Sequence, residues 1–231
     1  MLRGLAAGVV LIAGPAAAAP FEVAVAPNLS AFAAPVGCAL FRAVEAWGGA
    51  HAYRFPPQGA SCAGRTVVAV GWTEAAVWAN ALSERSGLKA AYVDAAGQVV
   101  RDANRIDLVP ASDPRANGYR LPALAELGLP ALRARMTRVQ EWSDTRIDLG
   151  DGRPYFYLCR PGACDFHSPR TTGRGVAFRL VRVRRPGPMR EAGVNHSPSS
   201  SHPSRAGDVV RGTTLRAGGP PARLAQAESP Q

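Results

Sequence analysis

The pattern of apolar and polar positions is clearest in the middle of the chain, where it predicts a strand followed by a helix. The run 67–70 (VVAV) is apolar and rich in β-branched residues, which predicts a buried strand. From 74 to 86 the apolar positions recur with a helical period, and one face carries Ala75, Trp78, Ala79 and Leu82. Thr73 is the predicted N-cap. Gly87 suits the position just after the helix, with Leu88 placed for a hydrophobic contact.

A second, shorter helix is predicted to begin at Pro122 and to be interrupted by Gly128 and Pro130. Its residues include Leu124, Glu126 and Leu127. Further extended segments are predicted at 91–94 with a hairpin partner at 99–100, and at 139–145, 155–158 and 176–183. No internal repeat is visible. The pattern therefore predicts an α+β fold with two helices, several short strands and long irregular loops.

The two ends of the chain have a different character. Residues 1–19 combine Arg3, a short apolar run, the helix breaker Gly14-Pro15 and a series of small residues, which predicts a signal peptide cleaved after Ala18 or Ala19. The apolar run is too short for a permanent membrane span, and no cysteine follows it to allow lipidation. Residues 186–231 are rich in Pro, Ser, Gly, Arg and Ala, which predicts a disordered tail. The domain is therefore expected at 20–185, in a periplasmic or secreted protein.

Composition and charge narrow the classes of function. The hydrophobic fraction of 47% supports a globular interior, and the formal net charge is +10. Lys89 is the only lysine, and the arginines are scattered along the chain. A nucleic-acid interface needs a clustered basic surface with aromatic platforms, so we expect no nucleic-acid partner.

Export changes the expectation for the four cysteines, Cys38, Cys62, Cys159 and Cys164. An even number in an oxidising compartment predicts disulfides. Four cysteines allow three connectivities, and the economical one pairs Cys38 with Cys62 and Cys159 with Cys164. The sequence alone leaves the connectivity open.

Four elements of the chain, in order, resemble the formylglycine-generating enzyme, or sulfatase-modifying factor, domain family. Residues 70–76 (VGWTEAA) with 80–84 (NALSE) are similar to the family's "V-S-W-x-D-A … C-N-W-L-S" helix. Residues 117–122 (NGYRLP) match "N-G-Y-R-L-P-T-E-A-E-W", and 139–144 (VQEWSD) resemble "N-V-W-E-W-C-S-D". Residues 177–181 (AFRLV) resemble the closing "G-F-R-L-V". The resemblance is clearest over 65–182.

The resemblance implies a C-type lectin-like fold of the sulfatase-modifying factor type. Trp72, Tyr119 and Trp142 suit a role as large anchors for irregular loops. Arg120 and Glu141 lie between apolar neighbours, so we expect each to have a charged or polar partner if it is buried. Glu126 is expected to cap or pair in the same way.

The resemblance also implies chemistry at Cys159 and Cys164. Enzymes of this family use two cysteines at this spacing to bind copper(I) and activate oxygen against a substrate cysteine, and thiolates are the soft ligands that copper(I) prefers. On this hypothesis Cys159 and Cys164 are the catalytic and metal-binding residues. The cofactor is copper, and the partner is a protein or peptide with an exposed cysteine, or a small exported metabolite.

The chain departs from the family pattern at several points. Phe156 replaces a serine before the first cysteine, and Leu124 and Leu127 replace the Glu and Trp of the family's helix. The short interval between Pro122 and Glu141 lacks the loop that carries the calcium ligands, so calcium is not expected.

Two alternatives for Cys159 and Cys164 follow from these departures. One is a local disulfide that closes the turn around Pro161-Gly162, in a non-catalytic lectin-like module that binds a peptide, a glycan or an envelope protein. The other is a mixed metal site with the neighbouring Asp165 and His167. The sequence decides neither the activity nor the oligomeric state.

Overall fold

The computed structural model describes residues 21–57, 59–105 and 109–184, and within them the first and last strands lie in one sheet. The predicted signal peptide and the predicted C-terminal tail, with His196 and His202, lie outside these residues. In chain order the elements are β1 (Glu22–Ala26), β2 (Leu29–Phe32), α1 (Cys38–Gly49), β3 (Ser61–Ala63), β4 (Thr66–Val68), α2 (Trp72–Arg85), β5 (Tyr92–Val93), β6 (Ala111–Ser112), α3 (Leu124–Leu127), α4 (Pro130–Arg133), β7 (Gln140–Asp148), β8 (Pro154–Arg160), β9 (Ala163–His167), β10 (Val176–Ala177) and β11 (Val181–Val183). These elements confirm the predicted α+β class.

The strands form two main sheets. The first has the order β1-β2-β11, with both pairings antiparallel. The second has the order β10-β7-β8-β9, in which β10 runs parallel to β7 and the other neighbours are antiparallel. Two small antiparallel pairs, β3 with β4 and β5 with β6, lie among the loops.

Helix α2 is buried along most of its length. Its buried residues run from Trp72 to Ser83, so the apolar face predicted from the sequence is only part of what is covered. A buried Asn80 is tolerated there because its amide bonds three backbone groups: Nδ2 donates to Tyr92 O and Val100 O, and Oδ1 accepts from the Tyr92 amide. The helix therefore holds the 92–100 hairpin by hydrogen bonds as well as by packing.

The predicted aromatic anchors are buried and bonded. Trp72 Nε1 donates to Ser143 O at 2.9 Å, and Trp142 Nε1 donates to Val70 O at 2.7 Å, so the two indoles link β7 to α2 and to the segment just before it. Tyr119 donates its hydroxyl to Glu22 of β1 at 2.7 Å. Each ring thus fills the core while its polar atom fixes an irregular loop, which confirms the expected role.

The ends of α2 were predicted with mixed success. Gly87 has φ of +69°, Leu88 N donates to Ser83 O and Gly87 N donates to Glu84 O, which is the expected glycine-terminated helix end. The N-cap prediction was wrong, because Gly71 occupies that position and the helix begins at Trp72. The Trp72 amide donates to Pro169 O at 2.8 Å, so a carbonyl from a distant turn replaces the side-chain cap.

Other boundaries also differ from the prediction. The strand predicted at 67–70 ends at Val68, because Ala69 adopts a left-handed φ of +62°. Pro122 lies before the N-cap Ala123 of α3 instead of opening the helix, and Pro130 opens α4. The predicted count of two helices was wrong, because α1 was not foreseen and the second predicted helix is two short ones.

The most deeply buried charges in the described chain are Glu141 of β7 and Arg179, both with no exposed side-chain surface. Arg179 Nε and Nη2 donate to the two Glu141 oxygens at 2.8 and 2.9 Å. Nη1 donates to Phe32 O and Ala33 O, and Nη2 also donates to Arg135 O at 2.7 Å. One guanidinium therefore joins β7, the end of β2 and the segment that follows α4.

The disulfide pairing bears on the expected location. The structure contains the Cys38–Cys62 and Cys159–Cys164 disulfides, which is the economical pairing, and disulfides fit an oxidising compartment. Across the described ranges, no helix combines the length and apolarity needed to cross a bilayer.

We predict that Glu141→Gln lowers the free energy of unfolding by about 3–5 kcal/mol, because it leaves the Arg179 charge buried without a counter-ion. The matched control is Glu45→Gln, which breaks the Arg42–Glu45 pair, whose Arg42 side chain is 59% exposed, and should lower the free energy of unfolding by less than about 1 kcal/mol. Urea unfolding followed by tryptophan fluorescence measures both variants. Equal effects of the two substitutions would contradict the assigned role of the buried pair.

Candidate functional site

The predicted cysteine pair lies at the tip of the β8–β9 hairpin. Cys159 and Cys164 face each other in the antiparallel register, with Cα atoms 4.1 Å apart and a disulfide between them. Gly162 has φ of +84°, a left-handed conformation that a glycine accepts easily, and it closes the turn between the strands. Cys159 is 1% exposed, whereas Cys164 is exposed to solvent. The disulfide therefore joins one buried cysteine to one exposed cysteine.

A groove of about 230 Å³ runs beside this disulfide. Its apolar lining comes from α3, from the segment after α4 and from the hairpin: Leu124, Leu127, Met136, Ala163 and the two cysteines. The polar side chains that line it are those of Arg133 and Arg160. The groove thus combines an apolar wall with two guanidinium groups.

An ion pair on one side and a hydrogen bond on the other hold the groove wall in place. Arg120 binds Glu126 of α3 through two hydrogen bonds of 2.7 and 2.6 Å, and Glu126 Oε2 also accepts from the Ala123 amide. Glu126 therefore both caps α3 and pairs, as predicted. On the other side, the bond from Arg179 to Arg135 O fixes the backbone next to Met136. The groove wall is therefore fixed by partly buried hydrogen bonds on both sides.

The two guanidinium groups at the groove are uncompensated. Both Arg133 and Arg160 are exposed, and no carboxylate within the described ranges lies within salt-bridge distance of either. Because exposed guanidinium groups bind carboxylates and phosphates readily, the charge favours an anionic group at the rim.

The oxidised sulfurs bear directly on the expected copper chemistry. Copper(I) binds thiolates, and here both cysteine sulfurs are bonded to each other, so the donor set does not fit copper(I) in this oxidation state. Catalytic and metal-binding roles for Cys159 and Cys164 remain predictions that require a reduced pair. The groove brings one further sulfur to the same surface, the thioether of Met136.

The alternative Cys/His site does not assemble around the hairpin. Along a strand successive side chains alternate between faces, so His167 and Asp165 lie on the opposite face of β9 from Cys164. Within the described ranges no three His, Cys, Asp or Glu side chains cluster closely enough to hold a metal ion. His51, which carries no motif, stacks on Trp47 and bonds its carbonyl oxygen.

Phe156 explains one departure from the family pattern. It stacks on Trp72 with ring centroids 3.8 Å apart and is 2% exposed, so the side chain at this position points into the core and away from the groove. The position serves packing between β8 and α2 in this chain. A serine at that place would leave a cavity beside Trp72.

Two buried carboxyl groups elsewhere have raised pKa values, a property often found at functional sites. Burial raises the pKa of Asp144 to about 6, although its carboxylate accepts from the Tyr92 hydroxyl and is close to Arg120. Burial raises the pKa of Glu74 to about 7, with a smaller contribution from Glu45. Glu74 Oε1 accepts from the Ala60 amide, so both carboxyl groups hold loops in place.

The comparisons with known proteins add information on the fold only. No family model and no curated protein matches the chain. Among solved structures, CarF is similar with a TM-score of 0.60 and 21% sequence identity, over 68% of this chain and 87% of that chain. Treponema denticola variable protein 1 is similar with a TM-score of 0.47 and 19% identity, over 67% of this chain and 84% of that chain.

The similarity to CarF shows a shared fold and loosely fits the sulfatase-modifying factor type. The C-type lectin-like architecture stays a prediction. The groove residues Leu127, Arg133, Met136 and Arg160 were not foreseen as a site. The sequence offered no signal for Met136, because its place beside the disulfide depends on a contact made by Arg179 from a distant part of the chain.

The two disulfides should differ in their effect on stability. They close loops of sequence separation 24 and 5, and the entropy of loop closure in the unfolded chain grows with loop length. Replacing Cys38 and Cys62 by Ala should therefore lower the free energy of unfolding by about 3 kcal/mol. Replacing Cys159 and Cys164 should lower it by about 2 kcal/mol. Denaturant unfolding of the two double variants measures this. A larger loss at the hairpin would show that its disulfide stabilises native contacts as well.

The raised pKa of Glu74 predicts a pH dependence with a definite sign. Because the native pKa is about 7 and the ordinary value is 4.5, the native state binds the proton more tightly than the unfolded chain. The charged carboxylate thus destabilises the fold above pH 7, and the penalty fades as the pH falls towards 4.5. Glu74→Gln should be more stable than the wild type at pH 8, by up to about 3 kcal/mol, with the difference shrinking at pH 5. A stability difference between the two proteins that does not change with pH would contradict the raised pKa of Glu74.

Proposed function

We propose that this chain is an exported recognition module with a sulfatase-modifying-factor-like fold, which binds an extended peptide in the groove beside Cys159 and Cys164. The observation that carries the proposal is the groove itself, with an oxidised cysteine pair in an apolar wall and two free guanidinium groups. The peptide carries an apolar side chain next to an acidic one.

The chemistry of the groove supports a peptide over a glycan. A glycan presents many hydroxyl groups, and its recognition needs amide and carboxylate side chains that donate and accept hydrogen bonds. Apart from the two arginines, the side chains that line the groove are apolar or carry sulfur. A volume of about 230 Å³ accommodates one large apolar side chain.

The positive charge at the rim favours an acidic residue next to the apolar side chain of the peptide. A carboxylate next to the inserted apolar side chain would meet Arg133 or Arg160 at the rim of the groove. Each contact would be a charge-assisted hydrogen bond to an exposed guanidinium, so it adds specificity and a dependence on ionic strength.

A second candidate function is the copper- and oxygen-dependent oxidation of a cysteine-bearing protein. The observation that favours it is that three sulfur-containing residues, Met136, Cys159 and Cys164, line one groove. Reduction of the disulfide would supply two thiolates beside a thioether, a donor set that suits copper(I). This function requires that the pair is reduced where the protein acts, and the exported setting favours the disulfide.

The proposal is tested by selecting peptides from a random display library on the wild-type protein. Ala163→Trp fills the groove with an exposed, strand-compatible side chain, and Ala111→Trp is the matched control on another exposed strand. We expect an enriched motif with an acidic residue beside an apolar one, and dissociation constants on the order of 10 µM. Ala163→Trp should abolish binding of these peptides, and Ala111→Trp should leave it unchanged.

The charge component is tested on the same peptides by fluorescence anisotropy. Reversing both arginines, Arg133→Glu with Arg160→Glu, should weaken binding at least about tenfold, whereas Arg65→Glu on a remote exposed turn should not. Enrichment of peptides that bind the Ala163→Trp protein equally well would refute the groove as the recognition site.

A further inference from the structure

A second cleft lies at the opposite end of β8 from the disulfide and is lined by two arginines. Arg153 and Arg170 contribute to a space of about 430 Å³, together with Ser168, Tyr155 and the apolar Val109 and Pro154. No acidic side chain of the described chain lines it. The cleft thus gathers two positive charges and the Ser168 hydroxyl around an apolar wall, while the Tyr155 hydroxyl donates to Asp151.

The backbone that carries Arg170 is fixed by the start of helix α2. Pro169 is buried, and its carbonyl oxygen accepts the Trp72 amide hydrogen at 2.8 Å. The turn is closed by the Thr171 amide, which donates to Ser168 O at 2.9 Å. The position of Arg170 is therefore set by a contact to the central helix of the core.

The backbone that carries Arg153 is held by the β7–β8 turn. The Arg153 amide donates to Asp151 Oδ1 at 2.9 Å, and the following residue, Pro154, is already paired with Asp148 in the sheet. Both arginines thus project from ordered backbone, which lowers the entropic cost of binding a ligand between them.

Neither guanidinium forms a salt bridge within the described residues. No carboxylate lies within salt-bridge distance of Arg153 or Arg170. The Tyr155 hydroxyl and the Arg153 amide donate to the Asp151 carboxylate, and the Arg153 charge acts with them to lower the pKa of that carboxyl. Glu74 shares a neighbouring cleft with Arg170, and its Oε1 is bonded to the Ala60 amide.

We propose that this cleft is an oxyanion-binding site for a small organic anion with a flat apolar body. The carboxylate, phosphate or sulfonate group lies between Arg153 and Arg170, where guanidinium groups bind oxyanions through charge-assisted hydrogen bonds, and Ser168 donates its hydroxyl. The apolar body packs on Val109, Pro154 and the Tyr155 ring. The site is separate from the peptide groove and does not depend on the state of the disulfide.

The test uses benzoate, phenyl phosphate and the cationic isostere benzamidinium, titrated into the full mature chain with amide chemical shifts as the readout. We expect both anions to shift the amide signals of Arg153, Tyr155, Arg170 and Thr171 saturably, and benzamidinium to shift none of them. Arg153→Gln and Arg170→Gln should each weaken binding at least fivefold, and the double variant should lose it. Arg65→Gln is the matched control, since Arg65 is exposed on the β3–β4 turn.

Inorganic phosphate separates the oxyanion from the apolar part of the ligand. Phenyl phosphate should bind at least threefold more tightly than inorganic phosphate, because only the former contacts the apolar wall. Equal affinity for the two would overturn the assigned ligand class. Equal shifts with benzamidinium, or binding that survives in the double variant, would overturn the site itself. The dispersion of the amide spectrum shows directly that each variant is folded.

Discussion

The fold depends above all on one buried ion pair, Glu141 with Arg179. Taking two charges out of water costs several kcal/mol for each ion, so such a pair is tolerated only when its hydrogen bonds are complete. The hydrogen bonds of this pair are nearly complete, since the Arg179 guanidinium donates to both Glu141 carboxylate oxygens and to three backbone carbonyls. Those carbonyls belong to the end of β2 and to Arg135 beside the groove. The same interaction that closes the domain therefore also sets the position of the candidate site.

Much of the central region could be predicted from the sequence, because its signals are local. Helix α2 has a periodic apolar face and a glycine stop, and Gly87 adopts the left-handed conformation that the stop requires. Arg120 and Glu141 lie among apolar neighbours, and each has the charged partner that burial demands. The start of α2 was predicted wrongly because of a long-range contact. Thr73 was not needed as a cap because Pro169 O, far along the chain, accepts the first amide.

The parts that could not be predicted are made by long-range contacts or by weak patterns. Helix α1 is rich in small residues, and its buried positions Phe41, Val44 and Gly48 give only a thin apolar stripe. Strand β9 is exposed along most of its length and is a strand because β8 pairs with it. The Cys159–Cys164 disulfide is part of the economical pairing that the sequence suggested. The groove around this disulfide could not be predicted, because Leu127 and Met136 are brought together by the packing of α3 and α4 and by the hydrogen bond from Arg179.

The measurement that tests this account most directly is the oxidation state of Cys159 and Cys164 in the protein purified from an exporting host. Free-thiol titration and mass mapping of the disulfides give that state, and an anaerobic copper(I) titration after gentle reduction gives the metal affinity. The recognition account predicts no free thiol, a Cys159–Cys164 disulfide and no tight copper binding on reduction. Two free thiols that bind one copper(I) ion tightly would contradict it and would establish the oxygen-dependent enzyme as the better account.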